Sequence, residues 1–416
     1  MTKPFTHTLT AFIAAACLSG CSITPRSFVT ITNPLSDGRQ GEMVEIPLEE
    51  LHKLHPADGE SYLVSEGTGE PVPSQVTYDG KLIFPASVDG KSSKVYIIRT
   101  GVADSVPATS VGRKYPERLD DLAWENDKAG YRAYGPALQA RGEKTFGYDL
   151  FTKSVATPVL EQRYALETDQ AAWDEVHALD KAGQKVKADR LRDSISYHVD
   201  HGNGMDCYGV GATLGGGTAA LLTDSGIVYP SCYKECEVLD NGPLRFTARL
   251  VFHPLTVNTD GNVVETRLIS LDAGSYLNRT EVTYENLSAD TPVAAGIVLH
   301  TENPEGYSAD AEQGYIAYAD FTDNAAGDNG ILFIGAVTPQ PMNDADVRLF
   351  NADERQEHSG ALGHVLGIST YHPGTPYLYY WGSGWSKADM PDMPTWEAYL
   401  KSFAQRLRSP LIVKVN

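Results

Sequence analysis

The chain has 416 residues, with 34 Lys+Arg against 54 Asp+Glu and a formal net charge of −20. That balance argues against nucleic acid as a partner, because phosphate contacts dominate such binding and require cations. It leaves room for a local basic pocket that takes a carboxylate, and the length suits a small domain followed by a large one.

In chain order, a basic start at Met1-Thr2-Lys3 precedes an apolar run from Ala11 to Cys17 and the ending Leu18-Ser19-Gly20-Cys21. These are the parts of a secretory signal, and the run is shorter than the about 20 apolar residues that a spanning helix needs. The ending is similar to a lipobox, in which the cysteine is lipidated and becomes the new N-terminus. Residues 1–21 are therefore expected to be a lipoprotein signal, with Cys21 the lipid anchor and the only tie to a membrane. Ser22 points to the outer membrane, so the expected location is the periplasm or the cell surface. Outside the cytoplasm a disulfide is permitted. Cys232 and Cys236 then read as a short-loop pair or as inert thiols, and Cys207 as the odd thiol.

From Phe28 to about Thr100 short alternating runs such as Phe28-Val29-Thr30-Ile31-Thr32 and Val95-Tyr96-Ile97-Ile98 are broken by Asp79-Gly80 and Asp89-Gly90. The pattern predicts a small β-sandwich over 26–104, followed by a linker of small residues at Ser105 to Thr109. A second domain is expected over 110–416. Within it, about 161–194 is rich in Ala, Glu, Lys, Asp and Arg, with Trp173, Val176 and Leu179 at helical spacing. Its narrow apolar stripe predicts a helical hairpin or arm. From Gly242 onward strand follows strand: Arg245 to Phe252, Val263 to Ile269, Arg279 to Tyr284, Val293 to His300, Tyr315 to Tyr318, Ile331 to Val337 and His364 to Tyr371. This predicts a large antiparallel sandwich. Near the end, Trp396, Tyr399, Leu400, Phe403 and Leu407 mark one face of a helix capped at Thr395 and stopped before Pro410.

Four segments concentrate chemistry. In the first, Trp124-Glu125-Asn126-Asp127 precedes Arg132 and Tyr134. A Trp ring beside carboxylates and an amide suits a sugar, and Arg132 suits either a uronate carboxylate or a bridge to Asp127 or Glu125. The second is Tyr197-His198-Val199-Asp200-His201-Gly202-Asn203-Gly204-Met205-Asp206-Cys207-Tyr208. His198, His201, Asp200 and Asp206 offer acid–base groups near neutral pH. They are also metal-ligand types, which leaves a divalent cation open as a cofactor, although the spacing matches no strong zinc signature and no metal ligand is assigned. If this stretch is extended, His198 and Asp200 share a face and His201 lies on the other. The third is the glycine-rich Gly209 to Gly217, which lacks the Lys of a phosphate loop and reads as close backbone packing. The fourth joins His372, Trp385 and Lys387 through Tyr377 to Trp381 and a Gly382-Ser383-Gly384 turn, as at a cleft edge. Ser383 lacks the spacing of a nucleophile elbow. His300, before Thr301-Glu302-Asn303-Pro304, is a weaker candidate.

Together, the run Glu117 to Asp127, Arg132-Ala133-Tyr134-Gly135-Pro136, the segment Tyr197 to Asp206, Asn241-Gly242-Pro243-Leu244-Arg245 and Gly382 to Trp385 resemble the bacterial family DUF4861. The resemblance implies a β-supersandwich like that of galactose mutarotases and many polysaccharide lyases. It also implies a setting of pectin and other uronate-glycan degradation. Cys207 and the helical insertion are features particular to this sequence.

The expected fold is thus mainly β: a small N-terminal β-sandwich plus a large antiparallel β-supersandwich with a helical insertion. The expected activity is lyase or glycoside hydrolase chemistry on a uronate-containing oligosaccharide. For a lyase, Arg132 would clamp the carboxylate, His198 or His201 would be the base, and Tyr134 the acid. For a hydrolase, Glu125, Asp127, Asp200 and Asp206 supply the candidate carboxylates. A non-catalytic glycan-binding lipoprotein and a sugar mutarotase or epimerase are the competing readings.

Overall fold

The computed structural model describes residues 25–321 and 329–416, so the expected signal segment with Cys21 lies outside the described residues. The alternation at the N-terminus builds two small facing sheets. One runs Ile412–Val415, Arg26–Thr32, Ser93–Gly101, Ser61–Glu66, Pro71–Val72, and the other Arg39–Pro47, Lys81–Val88, Gln75–Val76. Val29, Ile31, Val44, Phe84, Tyr96 and Ile98 fill the space between them. The last strand of the chain belongs here, with Val29 opposite Val415. The boundary drawn at 110–416 therefore assigns that strand to the wrong body. Local pattern cannot see this return, because a four-residue strand pairs wherever an open sheet edge meets it.

The large body is a sandwich. Its nine-stranded sheet runs Tyr233–Asn241, Arg245–Phe252, Asp260–Asp272, Leu277–Glu285, Tyr377–Trp385, Leu332–Val337, Tyr315–Asp320, Tyr307–Asp310, with Leu255–Val257 beside Asp260–Asp272. It faces a five-stranded sheet of Gly226–Val228, Gly216–Thr223, Thr291–Leu299, Gly363–Tyr371 and Asp344–Leu349. The architecture is the predicted one, mainly β with a small sandwich, a large antiparallel sandwich and a helical insertion.

The expected Gly382-Ser383-Gly384 turn is instead the middle of the strand Tyr377–Trp385. Its small residues let neighbours approach: a Cβ on Gly382 would lie 2.0 Å from the Tyr276 carbonyl oxygen. On its inner side Tyr379, Trp381 and Trp385 enter the main core. The outer face of the same sheet receives the helix Met393–Arg408 through Trp396, Leu400 and Ala404. That helix is capped by Asp392, which accepts from the Thr395 N–H at 2.9 Å, so the cap lies before the expected Thr395.

A four-stranded sheet covers part of the core in the order Asp149–Phe151, Gly130–Ala133, Asp121–Glu125, Val111–Tyr115. Period-two alternation divides it. Leu122, Trp124, Tyr131 and Leu150 face the main core. Ala123 and Phe151 face the insertion, where Leu160, Tyr164 and Tyr197 cover them. The insertion comprises three helices, Leu160–Glu167, Gln170–Lys181 and Lys185–Ile195. The last two form the expected hairpin, sharing Val176, Ala188 and Ile195 with Trp173 and Leu179 against them. The first is a docking helix.

Candidate active site

The insertion-facing side of the small sheet carries the charge. Arg132 stands opposite Ala123 on one side and Asp149 on the other, so strand register alone brings a guanidinium beside a carboxylate. The Arg132 Nε–H donates to Asp149 Oδ2 at 2.9 Å, and its Nη2 makes a second, closer contact to the same oxygen. Nη2 also donates to Asp206 Oδ2 at 2.9 Å and to the Tyr134 hydroxyl at 3.2 Å. Nη1 donates to the Tyr197 hydroxyl at 2.8 Å and lies 3.6 Å from Asp121 Oδ2. Tyr134 completes the ring by donating to Asp149 Oδ2 at 2.6 Å.

Three carboxylates thus share this guanidinium, and all are almost fully buried. Burial, reinforced by Asp149, pushes the Asp206 carboxyl up to about 7, against the pull of Arg132 and His198. Burial likewise raises Asp121 to about 6, with Arg132 and Arg118 opposing. Burial holds the Tyr134 phenol well above its ordinary range. Two groups therefore change charge near neutral pH inside one cluster.

The segment 197–208 wraps this cluster as a tight turn. The Asp200 Oδ1 accepts from the N–H groups of Gly202 and Gly204 at 2.8 and 2.9 Å. Gly204 has φ +98° and packs on the Thr152 carbonyl, where a Cβ would sit 2.1 Å from the oxygen. Arg163 ties the turn down by donating to the Asn203 carbonyl oxygen at 2.6 Å. Of the two histidines only His198 reaches the cluster. Its Nδ1 is 3.0 Å from the Asp206 carbonyl oxygen and its side chain is 55% exposed. His201 turns back, with Nε2 3.0 Å from the Ser196 carbonyl oxygen. His201 and Asp200 are therefore parts of the turn and stand outside the cluster, which corrects their expected catalytic roles.

Other expectations are corrected by burial. Arg132 cannot clamp a substrate carboxylate, because its donors are spent on Asp149, Asp206, Tyr134 and Tyr197; neither Glu125 nor Asp127 is its partner. Trp124 is 0% exposed, donates to Asn278 Oδ1 at 2.7 Å and has no face for a sugar. Glu125 accepts from the Val159 and Leu160 N–H groups at 2.8 and 2.7 Å and pairs with buried Lys153 at 2.5 Å. It anchors the docking helix. Asn126 donates to the carbonyls of Asp272 and Ser275 and accepts from the N–H groups of Lys128 and Ala129. Asp127 accepts from the Gly274 N–H at 2.6 Å. Trp385 is 3% exposed and donates to the Asn329 carbonyl at 2.8 Å, with exposed Lys387 over its ring. His372 pairs with Asp290 beside a groove of about 450 Å³, at the far end of the five-stranded sheet from His300.

Of the two readings for Cys232 and Cys236, the structure has the free thiols and not the short-loop bridge. Cys236 lies in the extended strand Tyr233–Asn241, and four extended residues span ~13 Å, beyond the ~7 Å that a disulfide tolerates. Burial raises both thiols, Cys236 to about 11. Among the described residues no group of three or more His, Cys, Asp or Glu is arranged to hold a metal ion, and no helix is long and apolar enough to cross a membrane.

Asp149 and Asp320 escaped the sequence reading. The signal for each was a carboxylate in an aromatic and apolar run, Tyr148-Asp149-Leu150-Phe151 and Tyr315-Ile316-Ala317-Tyr318-Ala319-Asp320. A charge in such a run must be buried with a partner.

The sequence matches a family model described as "Domain of unknown function (DUF4861)" over residues 31–413. The chain belongs to the DUF4861 family. A relative in Formosa agariphila, described as "Uncharacterized protein P7", is 26% identical over 429 residues, covering 97% of this chain and 98% of the relative. Among solved structures, a protein in glycosyl hydrolase family 38 from Enterococcus faecalis is 8% identical with a TM-score of 0.46, covering 94% of this chain and 47% of its own. An alpha-mannosidase from Enterococcus faecalis V583 is 9% identical with a TM-score of 0.43, covering 94% and 46%. The chain spans about half the length of these two structures.

Proposed function

We propose that this DUF4861 protein is a carbohydrate-active lipoprotein, tethered through Cys21 at the outer membrane or in the periplasm, that cleaves uronate-containing oligosaccharides by proton-transfer chemistry of the lyase type. One observation carries the reading: exposed His198 is fixed on Asp206 at the rim of the Arg132 cluster. A carbonyl acceptor makes Nδ1 the protonated nitrogen, which leaves the Nε2 lone pair free as a base. Behind it, Arg132 and the buried carboxyls position the histidine and hold protons near neutral pH.

A two-carboxylate hydrolase is less well supported. Glu125, Asp127 and Asp200 are committed to backbone N–H groups. Asp206 and Asp149 share a guanidinium instead of flanking an open space. A glycan-binding module is also disfavoured, since Trp124 and Trp385 are buried and offer no stacking platform. Elimination needs a cation at the uronate carboxylate. With Arg132 committed, half-buried Arg118, beside Tyr197 and Asp121, is the second cation of the cluster and takes that role here.

The test is incubation of the purified protein with saturated and unsaturated uronate oligosaccharides, following product masses and the absorbance of new double bonds. Absorbance growth that is lost in His198→Ala is the expected result. No turnover of any uronate substrate, with binding intact, sinks the enzyme reading in favour of a binding protein.

A further inference from the structure

The sheet of the small sandwich that contains Arg26–Thr32 has one face on the core and one turned outward. Register sorts its side chains, because residues paired across neighbouring strands share a face. Val29, Ile31, Tyr96 and Ile98 point inward. Phe28 stands opposite Ile97, Thr30 opposite Val95, Thr32 opposite Ile412 and Leu63 opposite Arg99, all on the outward side. Phe28 is 38%, Val95 41% and Ile412 57% exposed, and these side chains lie outside the small sandwich's core. Single exposed apolar residues are ordinary, but five gathered on one sheet face mark a contact surface.

The same face is basic. Arg26 is paired with Arg99, and Lys414 stands opposite Thr30. The Arg26 guanidinium lies 5.3 Å from the centre of the Phe28 ring. Among the described residues, the outward positions of these strands carry no Asp or Glu, in a chain whose net charge is −20. Glu66 lies opposite Tyr96 on the inward side and pairs with Lys94 at 2.5 Å. The large body is met by the other small sheet. There Glu45 accepts from Arg245 at 2.6 Å, and Gln75 Oε1 accepts from the N–H groups of Leu244 and Arg245 at 2.9 Å. The apolar and basic face therefore looks away from the large body.

We infer that this face is a membrane-docking surface, which lies on the anionic phospholipid leaflet that holds the acylated Cys21. The inference rests on the lipid-tether reading above. Only Ser22, Ile23, Thr24 and Pro25 separate Cys21 from Arg26, so the tether reaches at most ~18 Å from the corner of the face where Arg26 meets Arg99. So short a tether makes docking an intramolecular step, and weak contacts suffice to orient the body. Each cation on the face contributes ~5-fold to partitioning onto anionic headgroups within a Debye length. Phe28, Val95 and Ile412 enter the headgroup boundary, while the stems of Arg26, Arg99 and Lys414 lie along the apolar surface with their charges at phosphate level. Docked this way, the acidic bulk of the chain and the Arg132 cluster stand off the leaflet.

The test places the full acylated chain in vesicles of phosphatidylcholine with phosphatidylglycerol, or of phosphatidylcholine alone, and reads side-chain exposure by hydroxyl-radical footprinting. Phe28, Leu63 and Ile412 should be oxidised several-fold more slowly in the anionic vesicles, and added salt should reverse this. Tyr307 and Leu349, exposed on the large body, should be oxidised alike in both. Combined Arg26→Glu, Arg99→Glu and Lys414→Glu alters only outward positions, so Tm should hold while docking falls ~10²-fold or more and the protection disappears. Equal oxidation of Phe28, Leu63 and Ile412 in both vesicle types overturns the inference. So does protection that survives the triple variant and grows with protein density, which marks a second copy on this face. The mass of the chain extracted from membranes tests the tether separately, and an unacylated Cys21 defeats that reading. The unacylated chain is then sedimented with the anionic vesicles at low salt. Co-sedimentation that the triple variant abolishes sustains the docking face, and no co-sedimentation overturns it.

Discussion

Asp206→Asn tests the charge logic of the site. In the folded protein the Asp206 carboxyl protonates at about 7, against an ordinary 3.8. Between those values the folded state holds more protons than the unfolded chain, so stability falls as pH rises through that window. Fully ionising the group in place costs ~4 kcal/mol over that gap, of which ~3 kcal/mol falls between about pH 5 and about pH 8. Asparagine keeps the shape and an oxygen for Arg132 Nη2, but it never ionises. Urea unfolding followed by tryptophan fluorescence at both pH values should show wild type losing stability across the window and the variant losing ~3 kcal/mol less. At the higher pH the variant should equal or exceed wild type. An equal pH slope in both proteins, or a variant ~3–5 kcal/mol weaker at about pH 8 as when a buried ion pair is broken, would refute the reasoning.

Other outcomes follow from the same contacts. Arg132→Met leaves Asp121, Asp149 and Asp206 facing one another and should lower unfolding free energy by ~3–5 kcal/mol. Arg132→Lys should recover little of it, since an ammonium cannot span Asp149, Asp206 and Tyr197. Glu125→Ala strands Lys153 and uncaps the docking helix Leu160–Glu167; a loss of similar size is expected, with new proteolysis near that helix. His198→Ala should cut kcat/KM by ~10²-fold or more with Tm nearly unchanged, whereas His201→Ala should leave kcat/KM within a few-fold. Arg118→Ala should raise KM by ~10–100-fold, the worth of a lost charge-assisted hydrogen bond, and an unchanged KM removes it as the carboxylate partner. Alkylation of denatured, unreduced protein should label Cys232 and Cys236 in full; protection of both would restore the disulfide.

Much of the fold was legible because alternation and turn residues are local. Arg245 to Phe252, Val263 to Ile269 and Val293 to His300 were recognisable as strands from their β-rich runs and flanking turns. The apolar face of Met393–Arg408 announced a docked helix. Two elements misled for a physical reason. Gly382-Ser383-Gly384 carries turn residues inside a strand because Tyr276 and Met390 press against it. Trp124-Glu125-Asn126-Asp127 carries polar groups that are satisfied by distant backbone.

The sequence by itself determined the mainly β class, the family and the polar, glycine-bearing segment from Tyr197 to Tyr208. Only the tertiary structure decided which polar groups converge. Arg132 meets Asp149 and Asp206 from 17 and 74 residues away, and His300 meets Asp320 across two sheets. Side-chain periodicity tells which residues share a face, but what covers that face depends on long-range pairing. A buried, satisfied carboxylate such as Glu125 and a proton-handling one such as Asp206 therefore look alike until their partners are in place.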